Sequence, residues 1–353
     1  DELVNQQVER LKALNKQGLT TVVGRGSGLA ISLYREVFRR DLLTMRIRIS
    51  HELTRSNGDV ERFLKRTGNL VGFNLDEMVK IYSATVQHPD GIGGAGAALT
   101  FRPKLRQLEG DPYGSYGSNR WEDEGLTPEE SDRTNILLAV KYGWPVSGVH
   151  SVGDRSTNLI LKAYDEAAEN TPLVPFSGKF GIDHLTMQVP ENIGIMKKLN
   201  VIPSVYFLNP GGREPSQLVF QYGADAVDEM TPVQSLIDAG LRPVIEADTT
   251  RLPYSAPLWN LERFVTRTDE NAKVWGSEER VSRQVGLKMY TLWAADYSGD
   301  SERLGSIEKG KFADFVLLGR DYLTVPEDEI ADIPILMTVV DGTIVYENPQ
   351  LSE

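Results

Sequence analysis

Short apolar runs alternate with longer amphipathic stretches over most of the chain. Seven of these runs have the length and composition of strands: Leu19–Val23, Met45–Ser50, Met78–Ala84, Pro145–Ser151, Phe180–Leu185, Val201–Phe207 and Leu241–Asp248. Helical spacing of apolar residues separates several of the runs, and after the last run it continues to about Tyr297. Strands that alternate with helices in this way predict a parallel sheet with crossover helices.

The pattern changes from Leu304 onward, where short apolar runs are separated by glycine turns. The dipeptide Asp341-Gly342 lies between two such runs and is a strong hairpin signal. We therefore expect two parts, a barrel-type domain over residues 1–300 and a small antiparallel β portion over residues 301–353.

Seven strands are one fewer than an eight-stranded α/β barrel contains, and that barrel is the fold class we expect. An open, doubly wound sheet is the alternative. The glycines in Gly24–Gly28 lack the spacing of a dinucleotide-binding fingerprint, and no later acidic residue is placed to bind a ribose.

A long glycine- and proline-rich connection follows the third run, from Gln87 to about Thr127. Connections of this length are usually functional, and we expect this one to shape a pocket. The next helix is predicted to start at Thr127, with Glu130 at the capping-box position. Aromatic residues in the connection indicate either a partly apolar pocket or simple packing on the barrel: Tyr113, Tyr116 and Trp121.

Composition narrows the possible partners and chemistry. The net charge of −12 argues against nucleic-acid or anionic-membrane partners, and no apolar run approaches a membrane span. The absence of cysteine excludes disulfides, thiolate catalysis and cysteine-ligated metals. We expect a soluble globular protein with a small-molecule substrate, open to homo-oligomerisation. A cytoplasmic, periplasmic or secreted location cannot be distinguished.

The candidate chemistry lies on the predicted strands. His150, His184 and Asp248 each lie at or near the end of a run, and Lys80 lies inside another run. Barrel enzymes build their sites from residues at the carboxyl ends of strands. Two imidazoles and a carboxylate at that position are typical ligands of a divalent metal, with zinc as the first choice.

Each of these residues also has a simpler interpretation. A histidine at a strand end can be a hydrogen-bonded structural residue, and Lys80 can be a lysine whose stem packs on the surface. Asp154 is interpreted as the N-cap of the next helix. His51 either lines the same barrel mouth or has no role, and His88 is interpreted as a solvated loop residue.

Four stretches resemble amidohydrolase superfamily members of the family 3 type, the group that includes N-substituted formamide deformylases. They are "GVHSVGDRSTNLILKAYDEA", "GIDHLTMQVPENIGIMKKLNVIPSVYF", "EADTTRLPYSAPLWNLERFVTR" and the tail from "LGSIEKGKFADFVLLGRD" to "TVVDGTIVYE". The resemblance implies a (β/α)8 barrel with a β-sandwich portion. It also implies hydrolysis of an amide-type C–N bond by a metal-activated water, with one or two divalent ions, zinc first.

The resemblance also assigns roles to individual residues. It makes His150, His184 and Asp248 metal ligands, Lys80 a candidate bridging ligand, and Asp248 the acceptor of the water's proton. The family carries a His-x-His pair on strand 1. The four histidines of this chain, at positions 51, 88, 150 and 184, form no such pair, so strand 1 is expected to be missing.

Three hypotheses follow from that departure. The chain is an active hydrolase, a degenerate member that binds a ligand or partner without turnover, or an inactive fragment of a larger enzyme. In the last case an upstream segment or a companion chain supplies strand 1 and the His-x-His pair. Within this chain we expect a barrel of seven strands with a seam.

Overall fold

The computed structural model describes residues 1–26, 28–53, 60–67, 74–86, 90, 131–169, 180–207 and 215–351. The helices in these ranges are α1 (Glu2–Asn15), α2 (Gly28–Arg39), α3 (Val60–Thr67), α4 (Asp132–Lys141), α5 (Asp154–Glu169), α6 (Pro190–Lys198), α7 (Pro215–Tyr222), α8 (Ala224–Asp228), α9 (Val233–Asp238), α10 (Pro257–Thr266), α11 (Arg283–Tyr290) and α12 (Leu292–Tyr297). The strands are β1 (Thr21–Gly26), β2 (Arg46–Glu52), β3 (Asn74–Asp76), β4 (Val79–Thr85), β5 (Val146–Ser151), β6 (Phe180–His184), β7 (Ile202–Val205), β8 (Val244–Ile245), β9 (Phe315–Leu318), β10 (Ile335–Val340) and β11 (Thr343–Glu347).

Seven parallel strands form the main sheet in the order β1-β2-β4-β5-β6-β7-β8. Each of the seven overlaps one of the predicted runs. The three-residue β3, which the pattern did not predict, pairs antiparallel with β4. Because the strands follow chain order and never reverse, the sheet lacks the switch point of a doubly wound fold and has the topology of a curled, TIM-type sheet. Among the described residues β1 and β8 are its two edges. An eighth barrel strand stays a prediction.

The sheet is covered by helices on its outer face. Strand β6 is buried along its whole length, as parallel strands are when helices cover one face and the barrel interior the other. Helix α5 packs Ile160, Leu161 and Tyr164 into the main hydrophobic core, and the Tyr164 hydroxyl donates to the carbonyl of Gly181 at 3.0 Å. This packing fixes β5, β6 and α5 relative to one another.

The C-terminal portion is a three-stranded antiparallel sheet in the order β11-β10-β9. Its hairpin turns through Asp341 (φ 52°) and Gly342 (φ 76°), the two positive angles of a type I′ turn. The predicted hairpin is therefore confirmed. The sandwich and the boundary at residue 300 stay predictions.

The N-terminus of α4 is described, but the residues at which the helix was predicted to start are not. Helix α4 begins at Asp132, where the Ser131 hydroxyl accepts the N–H of Thr134 at 3.5 Å as the N-cap. No described helix is long and apolar enough to cross a membrane. Outside the described residues lie the glycine-rich connection apart from Asp90, its tyrosines and tryptophan, His88, Thr127 and Glu130.

Candidate metal centre

The ends of β5 and β6 bring two histidines together. These strands pair in parallel, with His150 opposite Asp183 and Ser151 opposite His184. The two imidazole rings lie with centroids 4.3 Å apart and planes at 77°, edge to face. The structure thus joins two of the predicted ligands at the carboxyl ends of adjacent strands.

His184 is oriented by a carboxylate from the far edge of the sheet. Its Nδ1 contacts Oε1 of Glu246, which follows β8, and the other oxygen of Glu246 accepts the Ser204 hydroxyl at 2.6 Å. His184 Nε2 is buried and has no hydrogen-bond partner among the described residues. A histidine with one nitrogen bound to a carboxylate and the other open is arranged as metal-ligating histidines are.

Charge in this cluster shifts several pKa values. Burial alone would raise the pKa of Glu246 and lower the pKa of His184. The opposite charges of the two groups and the hydrogen bond between them outweigh burial, so the pKa of Glu246 is lowered and the pKa of His184 is raised. Burial, with the nearby charge of Glu246, raises the pKa of Asp183 to about 6. The Tyr297 hydroxyl donates to Asp183 at 2.6 Å. The strand ends are therefore rich in carboxylate.

Asp248 differs in position from what the pattern predicted. Strand β8 ends at Ile245, and Asp248 is exposed with a left-handed φ of 50°. Burial lowers the pKa of His184, but the interactions with Glu246 and, after them, the charge of Asp248 raise it, so the Asp248 carboxylate acts on the same site. Its roles as ligand and proton acceptor stay predictions. Glu246, two residues earlier, is the carboxylate that contacts the histidine.

Lys80 lies at the other end of its strand. It is the second residue of β4 and opposes Arg48 of β2. Its Nζ lies 3.2 Å from Oδ1 of Asp300, and its side chain is half-buried there. The structure therefore does not bring Lys80 to the histidines. The bridging role stays a prediction that this position does not support.

His51 packs against helix α3. Its ring stacks on Phe63 of the outer helix α3 with a centroid distance of 4.7 Å. Burial lowers its pKa, which favours the neutral ring. Of the two interpretations, lining the mouth or having no role there, this packing favours the second.

Asp90 is a site residue that sequence reasoning missed. One oxygen accepts the backbone N–H of Val152 at 3.0 Å, and the other accepts the N–H of Gly153 and the hydroxyl of Ser156, both at 2.8 Å. His150 Nε2 lies 3.7 Å from the first oxygen. Asp90 lies in the glycine- and proline-rich part of the sequence, so no periodicity could have singled it out.

Tyr206 closes the cluster on the β7 side. Its ring centroid lies 5.1 Å from that of His184, and its hydroxyl accepts from the Thr186 hydroxyl at 3.1 Å. Burial holds its pKa well above the usual value, and the charges of Glu246, Asp248 and Asp90 add to this effect. Three carboxylates therefore act on one buried phenol beside the histidines.

The residues present fit a metal ion in part. The open Nε2 of His184 and the adjoining ring of His150 supply two nitrogen donors of the kind that zinc takes. Within the ranges that the structure describes, no three histidine, aspartate or glutamate side chains are grouped closely enough to hold an ion. The described residues thus supply part of a ligand set.

Residues 1–346 match the amidohydrolase family. The chain belongs to this family.

Three known proteins are similar to this member of the family in sequence or in fold. A segment of 119 residues is 34% identical to the N-substituted formamide deformylase of Arthrobacter pascens, and covers 34% of this chain and 22% of that enzyme. An uncharacterized metal-dependent hydrolase from Pyrococcus horikoshii superposes with a TM-score of 0.72 at 20% identity, over 92% of this chain and 61% of that one. An atrazine chlorohydrolase from Arthrobacter aurescens, solved with zinc, gives 0.57 at 17% identity, over 97% and 73%.

These likenesses differ in what they establish. At 20% identity and below, the two structures show the shared fold and no more. The chain matches less than a quarter of the length of the deformylase.

Proposed function

We propose that this chain carries the metal centre of a hydrolase that cleaves an amide-type C–N bond in a small molecule. The observation that supports this most is His184, whose Nδ1 is held by Glu246 while its buried Nε2 has no hydrogen-bond partner among the described residues, and whose ring lies 4.3 Å from that of His150. Membership of the amidohydrolase family supports the reaction class.

His150 and His184 would hold the divalent ion, zinc first, one or two ions in all. A bound zinc ion supplies a Lewis acid and lowers the pKa of a water molecule toward about 7. Glu246 keeps His184 in the tautomer with Nε2 available, because its carboxylate binds the Nδ1 proton. Lys80, at the opposite end of its strand, has no part in this proposal.

We assign proton transfer to Asp248. Asp248 is exposed, and its charge acts on His184. In the proposed reaction its carboxylate accepts the proton of the attacking water and returns it to the leaving nitrogen. Tyr206 and Thr186 form the buried wall beside this point. The deformylase among the relatives makes N-substituted formamides the first substrate class to test.

The test compares two histidine variants of the purified chain. We expect the wild type to bind zinc, measured by competition with a chromogenic chelator, and to release formate from an N-substituted formamide. His184→Ala should lose both properties. The control, His51→Ala, removes a buried histidine that stacks on α3 instead, and should keep zinc affinity within about twofold. Equal zinc affinity in wild type and His184→Ala would remove the basis of the proposal.

A second function is favoured by one feature of the sequence. The 353 residues contain no His-x-His, the pair that the family carries on strand 1. A member without these ligands would bind a ligand or partner without turnover. Zinc binding by the wild type, combined with no hydrolysis of any formamide or amide in a panel, is the result that selects this alternative.

A further inference from the structure

We propose that Asp90 is a positioning residue that fixes the backbone behind His150 and so aims its ring at the metal. The inference rests on the proposed function for the metal, but the placement of His150 can be measured without it. Asp90 lies in sequence 60 residues before the histidine and has no assigned role in the reaction.

The contacts of Asp90 surround the end of β5. Its carboxylate accepts the N–H groups of Val152 and Gly153, which are the second and third residues after His150. The Ser156 hydroxyl, in the first turn of α5, is the third donor. Asp90 is only 7% exposed, so these bonds form in a dry environment where they are strong.

A carboxylate is well suited to this place for a physical reason. Helix α5 has 16 residues, and its N-terminus presents unsatisfied N–H groups with partial positive charge. Beside that N-terminus, the Asp90 carboxylate accepts the N–H groups of the two residues that precede the helix and the hydroxyl of Ser156 in its first turn, so it is held firmly and in turn fixes the turn between β5 and α5. The chain direction after His150 is therefore set by a residue from a separate connection.

The distance to the imidazole indicates a role in aiming the ring. Asp90 Oδ1 lies 3.7 Å from His150 Nε2, beyond a good hydrogen bond, and already accepts the Val152 N–H. The oxygen thus limits the ring on one side, while the His184 ring borders it edge to face. Helix capping alone would need the backbone bonds but no carboxylate beside the imidazole.

Asp269 provides a matched control for this idea. One of its oxygens accepts the N–H groups of Asn271 and Lys273, and the other accepts the indole N–H of Trp275 at 2.9 Å. It is 8% exposed, and these bonds all lie within its own loop. Asp269→Asn therefore removes the same kind of interaction as Asp90→Asn without a histidine beside it.

The experiment records the ring-nitrogen NMR signals of protein labelled with ¹⁵N-histidine, where four histidines give a simple spectrum. Asp90→Asn should move the His150 signals, because its amide cannot accept both backbone N–H groups, and should leave those of His51 in place. It should also weaken zinc binding about 10- to 100-fold, as outer-shell changes do. Asp269→Asn should do neither. The visible spectrum of bound Co²⁺ should change in Asp90→Asn alone.

The outcomes separate the two proposals. Unchanged His150 signals and zinc affinity in Asp90→Asn, with a loss of stability equal to that of Asp269→Asn, would show that Asp90 only caps the helix. A wild type that binds no zinc overturns the proposed function, and the His150 signals still decide on Asp90. If Asp90→Asn does not fold, Ser156→Ala removes one donor to Asp90 and should produce the same changes at smaller size; no change there contradicts the inference.

Discussion

The parallel strands bury charged groups at both ends, in two different ways. At their start, Arg46 of β2 binds Asp314 through two nitrogens, at 2.7 and 2.9 Å, while Arg48 and Lys80 bind the two oxygens of Asp300. Arg46 and Arg48 are fully buried, yet each guanidinium faces a carboxylate. This end is a closed set of ion pairs.

At the carboxyl ends of the strands, a buried nitrogen atom makes no hydrogen bond to the described residues. Glu246 binds one nitrogen of His184, and Asp90 binds backbone beside His150. The buried Nε2 of His184 has no hydrogen-bond partner within the described ranges. An unsatisfied buried nitrogen costs free energy, and in the proposed function a bound metal ion would satisfy this one.

The contrast teaches that burial of charge by itself does not mark a functional site. Sequence pattern treats Lys80 and His184 alike, as polar residues on apolar strands. What separates them is whether their polar atoms already have partners, and this is visible only once distant parts of the chain meet. The predictions below test the closed end and the open end separately.

The largest effect is expected at the closed end. Asp300→Asn should lower the free energy of unfolding by about 3–5 kcal/mol, because two cations, one fully buried, lose their carboxylate. Urea denaturation measures this. The control Asp165→Asn breaks an exposed pair with Lys198 and should cost about 1 kcal/mol or less. Similar losses in both variants would mean that the closed end contributes little.

A smaller effect, of another kind, is expected at the open end. Glu246→Gln should weaken zinc binding about 10- to 100-fold, since the amide is a poorer acceptor for the Nδ1 proton of His184. Chelator competition measures the affinity. Glu262→Gln, which changes a buried glutamate that accepts the Ala331 N–H, serves as the control and should bind zinc as the wild type does. Parallel losses in the two variants would refute an orienting role for Glu246.

The smallest effect is graded with pH. Burial alone would raise the pKa of Asp300, but Arg48 and Lys80 outweigh it and leave the pKa lowered. The stability from this carboxylate is therefore present above its unfolded pKa, about 3.9, and is lost as the pH falls through the lowered folded value. Unfolding curves of the wild type and Asp300→Asn should converge across that acid range. A constant difference between the two down to pH 2 would contradict the assignment.

The strands of the sheet were predictable because their apolar runs are long and regularly separated by helical sequence. The turn at Asp341 and Gly342 was equally clear, since few dipeptides suit two positive φ angles. The short β3 was missed because Asn74–Asp76 has only three residues, too few for an alternation to be recognised. The sequence therefore predicted those elements whose backbone conformation is set by neighbouring residues.

The site was only partly predictable. Glu246 and Asp248 lie two residues apart, so in an extended strand both would point to one face, and the pattern offered no means of choosing. The early end of β8 and the left-handed backbone at Asp248 make the distinction. Asp90 and the partner of Lys80, Asp300, depend on contacts between residues 62 to 220 positions apart. Such contacts leave no mark in periodicity.

The guanidinium of Arg46 has a consequence for how the chain is made. It belongs to the second strand of the sheet, but its carboxylate partners Asp314 and Asp341 follow 268 and 295 positions later. When the first strands have left the ribosome, Asp314 and Asp341 have not yet been synthesised. Burial of the Arg46 charge at that stage would therefore cost free energy that is not yet offset by a carboxylate. We therefore expect the early strands to stay incompletely assembled during synthesis until the last hairpin has emerged and its carboxylates can pair with Arg46.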